Sequence, residues 1–382
     1  MQTLNASGRQ RRKLLQTFAL LGITPTALFN SPLSFAVNAQ NNTWISAQGD
    51  ATESFGLGWV SDGEAAIHNG LSGFRGHGLA LHPTKADTAL MFARRPGTQV
   101  IEVNLRTGAV QQAFQCQVGH HLFGHGCFSA DGSILFTSEG DSLHDDGKIV
   151  LRDSQNYTLL GEYESYGIGP HEIKLHPDGK TLVIANGGIL THPDSGREKL
   201  NLDTMSSNLT YLDAHTGKLL ECATFDEPKA SIRHIDVAND GTVAMAIQVQ
   251  REAMSDNHLV ALSAIHKAGR PIEPLQAPAP LLAQMQDYMG SVAINSATRI
   301  AGFTSPRGNV ACFWHLDNKA LVGYHRLHDV CGLAVTPDAQ YFAITNSKGE
   351  MRLLDSHTLK EATEKRRQLN ASWDNHLLIT RL

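Results

Sequence analysis

Five histidines, His77, His125, His171, His234 and His376, share one setting: each opens, or immediately precedes, a short run of alternating apolar residues. Cys331 opens a sixth run of the same kind. Imidazole nitrogen and thiolate sulfur are preferred ligands of zinc, copper, iron and nickel. A polar set stands where the following runs end: Arg94, Glu139, Asp141, Asn186, Gln248, Ser305 and Asn346. If the fold brings equivalent repeat positions to one axis, these residues form a site for a metal ion or a small polar ligand. Iron, copper or zinc is then the expected metal, on His125, His171 and His234, with Glu139 or Glu172 as the carboxylate behind them.

The elements that must position these residues are legible in the stretch from His171 to Asn186. It reads as a histidine, an alternating apolar run, a Pro-Asp-Gly turn and a second apolar run. Period-two alternation on both sides of such a turn predicts two antiparallel strands. The phrase returns at His77, His125 and His234, and in weaker form at Ser291 and Cys331, each time followed by a third strand and usually a fourth. Trp373-Asp-Asn-His-Leu-Leu-Ile379 opens a repeat and then the chain stops. Four strands repeated at roughly 40 to 60 residues predict the blades of an all-β propeller. Six full repeats and one composite give seven. In the composite blade the C-terminal strand lies innermost, beside strands from the N-terminus, which closes the ring and removes an open sheet edge. The starts of first strands and the ends of second strands then converge on one mouth of the central channel.

Of the 382 residues, 41% are hydrophobic and 18% charged, enough to bury a large core. Residues 1–39 carry Arg9, Arg11, Arg12 and Lys13 without an acid, followed by a mildly apolar stretch broken by Gly22 and Pro25. This resembles a twin-arginine export signal, with cleavage after Ala36 or Ala39, and predicts a periplasmic protein whose residues 40–382 form a single propeller domain. The stretch is too polar for a membrane anchor, and no later stretch predicts an integral membrane segment. Without residues 1–39, 28 basic face 37 acidic groups. That sign argues against nucleic acid as a partner. Five cysteines, an odd number, leave at least one unpaired in an oxidising compartment. Cys127 and Cys312 lie in apolar runs and read as buried thiols.

Residues 187–206 form a long insertion between the second and third strands of the His171 repeat, and Arg197, Glu198 and Lys199 there read either as a lid over the mouth or as a charged loop. A Pro-rich stretch, residues 267–289, reads as a surface connection. Adjacent His120 and His121 read as a solvated turn, His144 as a hairpin tip, and His82 and His176 as structural groups beside turn prolines. Nucleophile elbows, haem-attachment motifs, phosphate loops and dinucleotide fingerprints are missing. Whether the protein is an enzyme is therefore open. A metal-dependent hydrolase of lactonase type, an oxidoreductase and a protein-docking scaffold stand as alternatives to a binding protein. The channel histidines themselves could instead bond between blades or line a channel too wide for one metal.

Several phrases are family-specific: Gly124-His-Gly-Cys-Phe-Ser129, Gly169-Pro-His-Glu172, residues 185–204, Ser231-Ile-Arg-His234, Thr304-Ser-Pro-Arg-Gly308, Asp329-Val-Cys-Gly332 and Trp373-Asp-Asn-His-Leu377. Through them the chain resembles the bacterial exported propellers catalogued as domain of unknown function 1513. The resemblance implies a periplasmic seven-bladed propeller. It also implies an accessory role in iron acquisition, with imelysin-type iron-uptake proteins and a dihaem oxidase-like protein as partners, but it transfers no catalytic residue.

Overall fold

Short apolar runs that recur behind turns cannot be buried one hairpin at a time; stacking four-stranded units around an axis buries them all. The computed structural model, which describes residues 41–49 and 55–382, adopts this solution as seven antiparallel four-stranded sheets. The composite blade contains β1 (Asn42–Gln48), β2 (Gly56–Ser61) and β3 (His68–Leu71). The second holds β4 (Gly76–Leu81), β5 (Thr88–Ala93), β6 (Gln99–Asn104) and β7 (Val110–Gln115). The third holds β8 (His120–Phe128), β9 (Ile134–Asp141), β10 (Asp146–Asp153) and β11 (Leu159–Glu164). The fourth holds β12 (Pro170–Leu175), β13 (Thr181–Asn186), β14 (Asn208–Asp213) and β15 (Leu219–Thr224). In the fifth are β16 (Ala230–Val237), β17 (Val243–Val249), β18 (Ser263–His266) and β19 (Glu273–Pro274). The sixth has β20 (Ser291–Asn295), β21 (Ile300–Ser305), β22 (Val310–His315) and β23 (Leu321–Arg326). The seventh has β24 (Val330–Val335), β25 (Tyr341–Asn346), β26 (Glu350–Asp355) and β27 (Arg367–Gln368), after which β28 (Leu378–Arg381) returns to pair with β1.

Ring closure is as the sequence predicts: Thr43 faces Thr380, Trp44 faces Ile379 and Ile45 faces Leu378, so β28 is the innermost strand of the composite blade. The core lies between blades rather than within them. Ile45, Leu57 and Trp59 of the composite blade pack on Met91 and Ile101 of the second, and Phe313 of the sixth packs on Leu333, Phe342 and Ile344 of the seventh. Middle strands are therefore buried on both faces; every residue of β5 and β21 is buried, which explains their continuous apolar runs. Outermost strands face solvent on one side, and β15 and β23 alternate in burial along their length.

Residues 267–289 depart from the expected surface connection. Glu273–Pro274 completes the fifth blade, and a short helix, α1 (Ala279–Gln284), follows. Leu275, Leu281, Met285 and Met289 are buried in the core that joins the fourth, fifth and sixth blades. Four prolines conceal an apolar spacing that packs. The five cysteines are free. Among the described residues no helix is long and apolar enough to cross a membrane. The expected export signal, residues 1–39, lies outside the described residues.

Because β28 alone fills the inner position of its blade, truncation before Leu378 exposes the edge of β1. The loss of ladder hydrogen bonds and apolar contact is expected to cost about 3 kcal/mol or more and to promote association. Thermal unfolding and light scattering of the truncated chain check this.

Candidate metal and ligand site at the channel mouth

The inner strands are distorted at the residues that matter. The pairing register shifts between Gly76 and Leu79 in β4, Leu122 and Gly126 in β8, Pro170 and Glu172 in β12, and Ile232 and His234 in β16. Each bulge spans or adjoins one histidine of the repeat, and a fifth, between Val330 and Leu333 of β24, spans Cys331. In β20, which has no histidine, the register is unbroken. A bulge bends its strand and re-aims a side chain. His376, just ahead of β28, is turned by a left-handed backbone, φ 66°. Glycine makes the close approach feasible. A Cβ on Gly78 would lie 2.3 Å from the Gly124 carbonyl oxygen and 2.5 Å from His125 Nδ1, and one on Gly124, at φ +104°, would lie 2.7 Å from the His77 ring.

The five imidazoles form one cluster. Ring centroids lie 4.4 Å apart for His234 and His376, 4.7 Å for His171 and His234, 4.8 Å for His77 and His125, and 5.7 Å for His77 and His234. One nitrogen from each of His77, His125, His234 and His376 lies within 4.8 Å of the others. Two of the three expected metal ligands, His125 and His234, are in that set. His171 stands beside it, with Nδ1 3.5 Å from Arg233 Nη1. His77 Nδ1, His125 Nε2 and His376 Nε2 are buried without a hydrogen-bond partner among the described residues.

Of the two expected supporting carboxylates, Glu172 reaches the cluster. It is buried, with Oε2 3.2 Å from His234 Nδ1 and Oε1 3.6 Å from His125 Nδ1; Oε2 also accepts from the Ile235 amide at 2.9 Å. A carboxylate at both Nδ1 atoms favours the tautomer that carries hydrogen there and leaves the Nε2 lone pairs free. Lys174 Nζ, 3.3 Å from Oε1, completes the carboxylate's surroundings. Glu139 instead serves its own blade, where Oε1 accepts from Arg152 Nη1 at 2.6 Å and Thr137 Oγ1 at 2.7 Å. The reason is strand length: β9 runs two residues past it, to Asp141. Asn186 is fully buried, donating to the Ser165 carbonyl and the Asn208 side chain, both at 2.8 Å.

A cavity of about 820 Å³ opens above the cluster, and His77, His171, His234, Arg94, Gln248 and Cys331 line it. The Cys331 thiol donates to the Trp373 carbonyl oxygen at 3.3 Å, burial raises its pKa, and its sulfur is not part of the set of four histidines. Burial also holds His77, His171 and His376 well below the usual imidazole value and brings His125 down to about 3. His234 is lowered for the same reason, against the pull of Glu172. The ring is neutral and rich in lone pairs.

Sequence reading missed several lining residues, among them Arg75, Arg95, Arg233, Tyr288, Arg307 and Trp373. Three stand within the family phrases, next to or near a recognised residue: Arg233, Arg307 and Trp373. The 187–206 insertion brings Arg197 and Lys199 to the lining, tied down by Asn201, which accepts from the Leu190 amide at 2.7 Å and donates to the Gly188 carbonyl at 2.9 Å. His121 is buried on β8, not on a solvated turn, with Nδ1 3.1 Å from Ser142 Oγ; the bulge after Leu122 extends β8 backward over His120 and His121. His144 is exposed beside Asp141, as expected of a hairpin tip.

A family model described as "Protein of unknown function (DUF1513)" matches residues 72–380, and the chain belongs to that family. Comparison with curated proteins finds no match. Among solved structures, the chain is similar to Kuenenia stuttgartiensis Hydrazine Synthase at 13% identity and a TM-score of 0.45, over 72% of this chain and 94% of that one.

The lowered imidazole values set a pH dependence. In the unfolded chain each ring takes up a proton near pH 6.5; in the folded protein it resists, so below that pH the unfolded state binds more protons. Stability is then full above about pH 6.5 and falls as the pH is lowered towards the folded values, by up to about 1.4 kcal/mol per pH unit for each imidazole. The thermal midpoint is expected to drop between about pH 7 and pH 5. A flat profile there would contradict a neutral ring.

Proposed function

We propose that this member of the DUF1513 family binds one divalent first-row transition metal on the propeller axis, through the imidazoles of His77, His125, His234 and His376. The observation that carries the reading is the set of three buried imidazole nitrogens without partners, converging from separate blades. Buried polar atoms are rarely left unsatisfied, and a metal ion satisfies several lone pairs at once. Four nitrogens on bonds of about 2.1 Å lie about 3.4 Å apart in a tetrahedral site, so the widest pairs of the 4.8 Å cluster must close by up to about 1.4 Å, through inward rotation of the rings. An all-imidazole set suits zinc, copper, nickel or iron. Glu172 orients two of the rings, and His171 is placed to act from the cavity side.

With the expected export signal and the family resemblance, this supports a periplasmic metal-handling protein, an accessory to an iron-uptake system that includes imelysin-type and dihaem oxidase-like partners. Iron is then the metal to try first. A second reading, a catalytic metal centre, is favoured by one observation: His77 and His234 face a cavity large enough for a substrate.

Metal analysis of protein purified without chelators or a histidine tag is expected to find about one transition metal per chain in the wild type and almost none in a His125→Ala/His234→Ala variant of retained fold. Neither protein taking up iron, copper or zinc would sink the reading. Glu172→Gln keeps the ring but weakens its orientation, and is expected to lower metal affinity about 10- to 100-fold in competition titrations. Loss of turnover on replacing His171 in a folded, metal-loaded protein would favour the catalytic reading.

A further inference from the structure

The cavity above the histidine ring carries more positive charge than its own carboxylates engage. Two of its cations are paired, Arg75 with Asp374 at 2.8 Å and Lys199 with Glu252. A third acid of the lining, Asp287, is held by Arg251 at 2.6 Å. That leaves Arg94, Arg95, Arg197, Arg233 and Arg307 facing the cavity with no ion pair among the described residues, against one free carboxylate, Asp329. Two of the five are deeply buried, Arg95 at 8% and Arg233 at 6% exposure. Among the described residues Arg95 Nη1 and Arg233 Nε have no hydrogen-bond partner, and neither does the indole N–H of Trp373, also in the lining.

We propose that this cavity is a receptor for a small organic oxyanion bearing at least two negative charges, gripped by Arg95 and Arg233. Guanidinium forks match carboxylate and phosphate oxygens, and unpaired buried donors are what such oxygens satisfy. A buried cation without a counter-ion is unfavourable, and an anion relieves that cost at the site itself. The cationic residues crowd one another: Arg95 is lowered to about 9 by burial and by Arg233, Arg197 and Arg94. The ligand is organic because about 820 Å³ far exceeds an inorganic ion, and the half-buried Tyr288 in the lining offers aromatic surface for a carbon frame. Carboxylates and phosphate esters share this chemistry. The inference stands apart from the metal, since the five arginines belong to the cavity wall and not to the ligand set.

The test is calorimetric titration of chelator-treated, metal-free protein in a buffer free of phosphate and sulfate. The probes are citrate for polycarboxylates and glucose 6-phosphate for phosphate esters, with inorganic phosphate and glucose as controls. One of the two organic anions is expected to bind well below millimolar, and the better probe identifies the class. An Arg95→Gln/Arg233→Gln variant is expected to lose at least about tenfold in affinity. Without ligand its thermal midpoint should be no lower than that of the wild type, because each change removes an uncompensated buried charge. Arg95→Lys/Arg233→Lys, which keeps the charge and loses the fork, should fall between the two in affinity. Failure of both organic probes to bind at millimolar concentration, inorganic phosphate binding as tightly as either, or affinity unchanged in the Gln variant would overturn the proposal. A protein that binds the anion but no metal would overturn the metal reading alone.

Discussion

Closure of the ring is the constraint on which the rest of the structure depends. His376 sits two residues before β28, so the pairing of β28 with β1 that seals the propeller also delivers the fifth imidazole to the axis. The other four come from four different blades, and no two are close in sequence. Such a site has no local existence; it forms only when every blade is in place. Its stability is therefore coupled to the global fold, unlike a loop site that can open by itself.

Two devices turn a generic propeller axis into a packed imidazole cluster. Bulges in the inner strands rotate the histidines inward at the positions where a regular ladder would alternate them away, and glycines beside them let adjacent strands approach. The regular register of β20 shows what the strand does when no side chain needs re-aiming. Burial then lowers the basicity of the rings, and Glu172, at 3.2 Å from His234 Nδ1 and 3.6 Å from His125 Nδ1, favours hydrogen on those atoms. The arginines of the cavity wall form the opposite kind of environment. A neutral donor cluster below and an uncompensated cationic wall above are complementary to a metal and an anion respectively.

Blade number, ring closure and the start of four inner strands to within a residue were legible in the sequence because repetition makes one weak signal into six, whereas β8 begins five residues before His125 and β16 four before His234. The Pro-Asp-Gly and related turns fixed where strands begin, and alternation fixed which faces pack. Legibility failed where local geometry breaks alternation. Arg233 precedes His234 directly, and in a regular strand the two would face opposite ways; a register shift at that point puts both on the cavity. His120 and His121 resembled a turn for the same reason, since a bulge hides the continuity of β8. Glu139 was misjudged by strand length, and its carboxylate is consumed by Arg152 inside the blade. A charged residue at a strand end is ambiguous from sequence, because only the partner decides whether it is spent or free.

The chemistry of the channel mouth turns on whether the imidazoles converge on one ion. X-ray absorption spectroscopy of the metal-loaded protein asks this directly. A nitrogen-dominated shell at about 2.0–2.1 Å, with the outer-ring scattering of about four imidazoles, is the predicted result. A sulfur shell near 2.3 Å, or an oxygen shell without imidazole scattering, would place the metal elsewhere and contradict the histidine ring as its site.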